Sequence, residues 1–242
     1  MEKRELSFLC EHFSGKELEA AIERVEKGEP LAYVIGEWYF YGLTFALNAD
    51  TLIPRPDTEH IVDHAIKLLP KGARFVDFGT GSGCIALSIL NERPDCTALL
   101  CDISQGALDC AKKNADSIGV LSRCELMHAD MTKPCLKKDE LFDAVISNPP
   151  YIRTAVTETL SVQVRHEPMR ALDGGRDGLD FYRALFEVQA AHLKKDGIFI
   201  FEIGYDQADD MHRLADLYGY ECTIHRDYGG NDRVAILKKH SN

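Results

Sequence analysis

Four consecutive residues, Asn148-Pro149-Pro150-Tyr151, carry the most pointed chemistry in this 242-residue sequence. The two prolines have no backbone N–H and hold the chain extended, so the segment offers carbonyl oxygens without competing donors. The Asn148 side-chain oxygen and the Pro149 carbonyl together suit the two hydrogens of a planar NH2 group. The nitrogen of an amide or exocyclic amine is a poor nucleophile, because its lone pair is delocalised into the neighbouring π system. Two acceptors favour the pyramidal form, aim the lone pair at an electrophile and stabilise the positive charge that develops on nitrogen. Tyr151 can stack on a flat substrate, and Pro150 completes the binding segment. Neither a metal nor a strong general base is needed, since the alkylated nitrogen becomes acidic and sheds its proton afterwards. His60 and His64 share a helix face at i, i+4, but they lack the H-E-x-x-H glutamate and any third ligand nearby, and read as core or solvated histidines.

A second constellation is Val76-Asp77-Phe78-Gly79-Thr80-Gly81-Ser82-Gly83, an apolar strand that runs into a glycine turn and then a helix. Glycine lets the backbone approach a ligand with no Cβ in the way. A dinucleotide fingerprint would want its third glycine one place later, where Cys84 stands, so the spacing is G-x-G-x-G. This pattern resembles the first motif of class I S-adenosylmethionine methyltransferases. The resemblance implies that Gly79, Thr80, Gly81 and Gly83 lie against the methionyl part of S-adenosyl-L-methionine and that Asp77 helps to hold its ammonium. Asp102 ends the next apolar strand, where a carboxylate can accept from both hydroxyls of a ribose. Asp130, in Ala129-Asp130-Met131, meets the adenine edge if the strand order follows the methyltransferase pattern. Each acid alone is equally a helix N-cap or a solvated loop residue. Three acids at three successive strand ends favour a nucleoside-bearing ligand, with Asn148 bordering it. Cys84, at a helix start with no partner base, reads as structural.

The elements that must position these residues follow from hydrophobic spacing. After Pro70, short buried runs at 74–78, 98–101, 124–127, 142–147 and 197–203 alternate with helical stretches, including 84–90. Strands alternating with helices imply right-handed crossovers and a mostly parallel sheet covered on both faces. Runs at 221–225 and 233–238 are close enough to pair as a terminal antiparallel hairpin. The predicted fold is therefore α/β, Rossmann-like, with a short helical N-terminal appendage. Residues 1–29 form the appendage, whose apolar spacing from Leu6 to Val25 is interrupted at Gly15. Residues 30–53 form a linker hairpin around Trp38-Tyr39-Phe40-Tyr41, with a strand-like segment ending near Ala49. Residues 54–242 form the methyltransferase domain, whose first helix carries Ile61, Val62, Ala65, Ile66 and Leu69 with Pro56 in its first turn.

Composition excludes several classes. With 45% hydrophobic residues the chain is globular. A formal charge of −11, from 28 basic and 39 acidic side chains, opposes a stable sequence-independent grip on nucleic acid. The charged opening segment is unlike a signal peptide, and no apolar run is long enough to span a bilayer, so a cytoplasmic protein without membrane attachment is expected. Eight cysteines are scattered without C-x-x-C spacing and read as buried thiols.

Beyond the shared N-P-P-Y, which amino-group DNA methyltransferases also carry, further segments choose a substrate class. Gly28-Glu29-Pro30-Leu31-Ala32-Tyr33, Leu52-Ile53-Pro54-Arg55-Pro56-Asp57-Thr58-Glu59, Ala171-Leu172-Asp173-Gly174-Gly175, Asp177-Gly178-Leu179 and Asp227-Tyr228-Gly229-Gly230-Asn231-Asp232-Arg233-Val234 resemble the HemK/PrmC family of protein-(glutamine-N5) methyltransferases. The resemblance covers nearly everything from Gly28 onward. It implies that Asn148, Pro149 and Tyr151 hold the glutamine amide of a Gly-Gly-Gln tripeptide on class I peptide chain release factors, tuning translation termination. It also suggests that the segment from Arg55 to Glu59 lies near the cofactor pocket, although a proline-bounded helix start accounts for it equally well. The loop 165–180 is expected to border the substrate channel, and Gly174-Gly175 also reads as a plain turn. Family members usually carry a longer helical N-terminal domain, whereas about 30 residues precede the hairpin here. The alternatives are a glutamine methyltransferase of a ribosomal protein, an N6-adenine DNA methyltransferase, for which no segment remains as a target-recognition domain, and a noncatalytic cofactor-binding adaptor.

Overall fold

A computed structural model of the chain describes residues 3–240. Its centre is a seven-stranded sheet built from β3 (Arg74–Phe78), β4 (Thr97–Asp102), β5 (Cys124–His128), β6 (Phe142–Ser147), β7 (Leu193–Glu202), β8 (Tyr220–Arg226) and β9 (Asp232–Lys239), in the order β5-β4-β3-β6-β7-β9-β8. The first five of these pair in parallel, and β9 joins β7 and β8 antiparallel. The order reverses at β3, whose neighbours are β4 on one side and β6 on the other, and open α/β sheets bind ligands at the carboxyl ends beside such a reversal.

Alternation along the central strands divides the core. Phe75, Ala144, Ile146, Ile198, Ile200, Val234 and Ile236 face one layer of buried side chains, while Val76, Phe142, Val145, Phe199, Phe201, Ala235 and Leu237 face the other. Helices α4 (Glu59–Leu68), α5 (Cys84–Glu92) and α6 (Gln105–Ile118) cover the first face. Helices α7 (Asp180–Ala184), continued by a π-helical turn over Leu185–Gln189, and α8 (Ala208–Tyr218) cover the second. Burial on both faces explains why the strands read as continuous apolar runs. Helix α5 is buried from Ile85 through Leu90, so it is apolar nearly all round.

The N-terminal appendage comprises α1 (Lys3–His12), α2 (Gly15–Glu26) and α3 (Leu31–Ile35), packed around Leu9, Ala21 and Val34. The hairpin that follows pairs β1 (Glu37–Phe40) with β2 (Leu43–Ala46). Three expectations need correction here. The segment beginning at residue 30 opens with a helical turn, because Pro30 presets the N-terminal dihedrals and Gly36, at φ 85°, closes the turn in the left-handed region. The strand ends at Ala46 and not near Ala49, since Asn48 and Thr51 form a side-chain turn there. Cys10 is exposed, Cys96, Cys101 and Cys110 are buried, and Cys84, Cys124, Cys135 and Cys222 are half-buried. Phe40 and Phe45 reach the main core, and Asn114 of α6 bonds both the N–H and the carbonyl of Ala46 at 2.8 and 3.0 Å, fastening the hairpin to the sheet domain. Among the described residues no helix is long and apolar enough to cross a membrane.

Candidate active site

Register places the site. Cys101, Phe78, Ser147 and Phe201 lie in one row across β4, β3, β6 and β7. The next residues along these four strands are Asp102, Gly79, Asn148 and Glu202, so four chemically distinct groups emerge side by side at one sheet edge. A cleft opens over this edge, and Gly79, Thr80, Gly81, Asp102, Asp130, Asn148 and Pro150 all line it. Asp77, Gly83, Pro149 and Tyr151 are not among its lining residues.

The glycine turn fits a close ligand. Gly79, Gly81 and Gly83 sit at φ 70°, 56° and 82°, a region costly for residues with a Cβ. The N–H groups of Gly79 and Thr80 donate to the Cys101 carbonyl at 2.8 and 3.1 Å, hanging the turn on β4. Asp102 Oδ2 accepts from the Gly81 N–H at 2.9 Å and Oδ1 from the Ser104 N–H at 2.8 Å, and partial burial raises its pKa against those bonds. Asp77 is wholly buried under the turn. Its Oδ2 accepts from the Thr80 hydroxyl at 2.7 Å, while its Oδ1 has no hydrogen-bond partner among the described residues. Burial pushes the Asp77 carboxyl up to about 7, with the Thr80 hydrogen bond opposing. Asp130 turns its own side chain to Thr132 and Lys133, which hold its pKa low.

This donor set matches S-adenosyl-L-methionine. Asp102 and Asp130 bring carboxylates to a cleft that Arg55 and Arg170 also line, one oxygen of the buried Asp77 beneath the glycine turn is left without a partner, and Ile85, Ile103 and Met131 supply apolar wall for a base. Removal from water raises the Cys84 thiol to about 12, so a thiolate nucleophile has no place in this site.

On the reacting side, Asn148 Nδ2 donates to Thr58 Oγ1 at 3.3 Å. Thr58 Oγ1 donates in turn to Glu202 Oε2 at 2.6 Å, and the Tyr151 hydroxyl donates to Glu202 Oε1 at 3.0 Å. Glu202 is 2% exposed, and burial raises its pKa while Thr58, Arg233 and Tyr151 pull it back. The buried Tyr151 hydroxyl needs an acceptor and finds it in Glu202. Its carbonyl accepts from Gln207 Nε2 at 3.2 Å, so the segment is held at both side chain and backbone.

The loop after β6 crosses the cleft. Buried Glu167 pairs with Arg55 and accepts from the Ile53 N–H at 3.1 Å, and Arg170 pairs with Asp50 beside the Ser104 hydroxyl. Arg55, Thr58 and Arg170 all line the cleft, so the segment from Arg55 to Glu59 and the loop 165–180 both reach it. The reading from residues alone singled out neither Glu202 nor a role for Thr58. Glu202 carries a signal that could have marked it: a lone carboxylate closing the apolar run Ile198-Phe199-Ile200-Phe201, in the same position that Asp102 holds on β4.

Known proteins resemble this chain over most of its length. Residues 58–175 match the family model described as methyltransferase small domain. A release factor glutamine methyltransferase of Agrobacterium fabrum is 40% identical over 91% of this chain and 78% of its own length. The chain belongs to the release factor glutamine methyltransferase family. A relative of the same name from Caulobacter vibrioides is 42% identical over 89% of this chain and 75% of its own. The ribosomal protein L11 methylase of Lactobacillus delbrueckii aligns with a TM-score of 0.58 at 20% identity, covering 78% of this chain and 82% of that one. The human Mettl16 catalytic domain aligns with a TM-score of 0.66 at 16% identity over 84% of this chain and 77% of its own, and both likenesses support the class I methyltransferase fold alone.

Proposed function

We propose that this chain transfers the methyl group of S-adenosyl-L-methionine to the side-chain amide nitrogen (N5) of the glutamine in the Gly-Gly-Gln motif of class I peptide chain release factors, and so modulates translation termination in the cytoplasm. The observation that carries the chemistry is the Asn148 amide, whose nitrogen is occupied by Thr58, leaving its oxygen for the cleft at the end of β6. The substrate class comes from the family. The cofactor supplies an electrophilic methyl on a sulfonium sulfur. Asp102 and Asp130 would hold the ribose hydroxyls and the base, and the Gly79–Gly83 turn would hold the amino acid end. Asn148 Oδ1 and the Pro149 carbonyl accept the two amide N–H bonds, which turns the nitrogen lone pair toward the methyl and stabilises charge in the transition state. Pro150 and the loop bearing Glu167 and Arg170 exclude water. The methylated nitrogen loses its proton after transfer, so no side chain of the site has to act as a strong base. Net charge of −11 supports a protein substrate over nucleic acid.

Incubating the protein with labelled S-adenosylmethionine and an unmodified release factor, beside a variant whose Gly-Gly-Gln glutamine is replaced, tests this. Label confined to that glutamine is expected. Label on ribosomal protein and none on release factor would transfer the reading to the ribosomal alternative.

A further inference from the structure

The two ends of an asparagine amide have nearly the same shape and opposite chemistry. Which end faces the cleft decides whether the site accepts or donates. At Asn148 the choice is made two residues away. Thr58 has one hydroxyl proton, and it is committed to Glu202 Oε2 at 2.6 Å, because a carboxylate only accepts. Thr58 can therefore only accept from its other neighbour, and that neighbour is Asn148 Nδ2 at 3.3 Å. The Asn148 oxygen is left for the cleft.

Two segments of the chain meet around Glu202. Arg233 provides the positive charge near the buried carboxylate, and Arg233 is itself paired with Asp227 at 3.2 Å and Asp57 at 3.5 Å. Asp57 and Thr58 belong to the 52–59 segment, and Asp227 and Arg233 to the 227–234 segment.

We propose that Thr58 and Glu202 are positioning residues for methyl transfer: the one-way hydrogen bond from Thr58 to Glu202 fixes the Asn148 amide with its oxygen toward the substrate NH2. This rests on reading Asn148 as the acceptor for that NH2. Neither residue touches the reacting atoms; both act through Asn148.

Glu202→Gln is the discriminating substitution, because it keeps the shape and changes only the direction of the hydrogen bond. The oxygen of the introduced amide stays on the Tyr151 hydroxyl, which has no other side-chain acceptor among the described residues, so the amide NH2 faces Thr58. Thr58 then accepts from that NH2 and gives its proton to Asn148 Oδ1. The Asn148 amide inverts and presents NH2 where the substrate also presents NH2. The expected result is a fall in kcat of about 100-fold or more, the scale of losing one transition-state acceptor, with cofactor Kd within about twofold of wild type. Thr58→Val should cost about tenfold, since it frees the amide without inverting it, and Thr58→Ser should restore activity to within about threefold. In the Thr58→Val background, Glu202→Gln should add nothing, because no hydroxyl remains to reverse.

A second readout needs no turnover. NOEs between the Asn148 side-chain NH2 and the Thr58 methyl should be present in the wild type and lost in Glu202→Gln. Wild-type kcat in Glu202→Gln or Thr58→Val, multiplicative losses in the double variant, or absence of the wild-type NOE would each overturn the proposal. A wild type that shows the NOE and inverts on Glu202→Gln, yet fails to methylate release factor, would count against the proposed substrate and leave the orientation mechanism standing.

Discussion

Gly174→Ala tests how tightly the reacting segment is held. Gly174 donates its N–H to the Ile152 carbonyl at 2.8 Å, and a Cβ built on it would lie 2.7 Å from both the Pro150 carbonyl oxygen and the Tyr151 Cα. Both neighbours are backbone, so neither can rotate away. Restoring ordinary contact requires the two chains to part by about 0.7 Å, which carries the Pro149–Tyr151 backbone with it. Misplacement of about 1 Å at a site that depends on aligned acceptors costs on the order of 10²-fold, so a loss of kcat between about tenfold and 100-fold is expected. The proposed cofactor side of the cleft is formed by the Gly79–Gly83 turn and Asp102, on other strands, so cofactor affinity should change by less than about twofold. The assay is methyl transfer to release factor under saturating cofactor, with calorimetric measurement of cofactor Kd on the same preparation. Undiminished kcat in Gly174→Ala would refute the claim that the N-P-P-Y backbone is rigidly positioned. Equal losses in kcat and cofactor affinity would show that the whole cleft, and not this segment, had moved.

Other expectations follow from the same contacts. Asp102→Asn replaces a carboxylate that accepts from the Gly81 and Ser104 N–H groups, and should weaken cofactor binding by about tenfold to 100-fold in calorimetry; unchanged affinity would remove Asp102 from the cofactor site. Asp77 has a folded pKa of about 7 against an ordinary 3.8, so between those values the folded state holds a proton that the unfolded state lacks. Its contribution to stability should therefore fall as pH rises from about 4 to about 7, by up to about 1.4 kcal/mol per pH unit, and Asp77→Asn should abolish that slope in urea unfolding of the cofactor-free protein. A wild type and Asp77→Asn with parallel pH profiles would contradict it. Phe199, fully buried with ring centroids 5.2 Å from Phe186 and 5.3 Å from Tyr220, should cost about 3–5 kcal/mol as Phe199→Ala, read as a lower urea midpoint at unchanged slope.

Much of the sheet is legible in the sequence because its strands are buried on both faces. The runs 74–78 and 142–147 coincide with β3 and β6 to the residue. Strand β7 begins at Leu193, four residues before the apolar run, because Lys194 to Asp196 are exposed and a register shift against Phe142 carries them into the strand. Their side chains hold no burial signal to read. Residues 31–35 are β-branched and aromatic enough to suggest a strand, yet Pro30 and Gly36 impose a helical turn.

The candidate site divides along the same line. Gly79, Asp102 and Asn148 follow strand ends, so local pattern finds them. Thr58 and Glu202 are 144 positions apart and meet only because β7 lies beside β6 and the 3-10 turn Pro56–Thr58 packs above it. No local periodicity encodes that meeting. Tyr151 shows the converse: its place in the motif is legible, but the direction of its hydroxyl depends on a buried carboxylate from another strand.

The proposed role of the Asn148 side-chain oxygen is to receive the substrate amide. It is tested most directly by measuring cofactor affinity and methyl transfer together in Asn148→Ala. S-adenosylmethionine binding should survive while transfer to the release factor glutamine falls by about two orders of magnitude or more. Transfer at the wild-type rate in Asn148→Ala would contradict it.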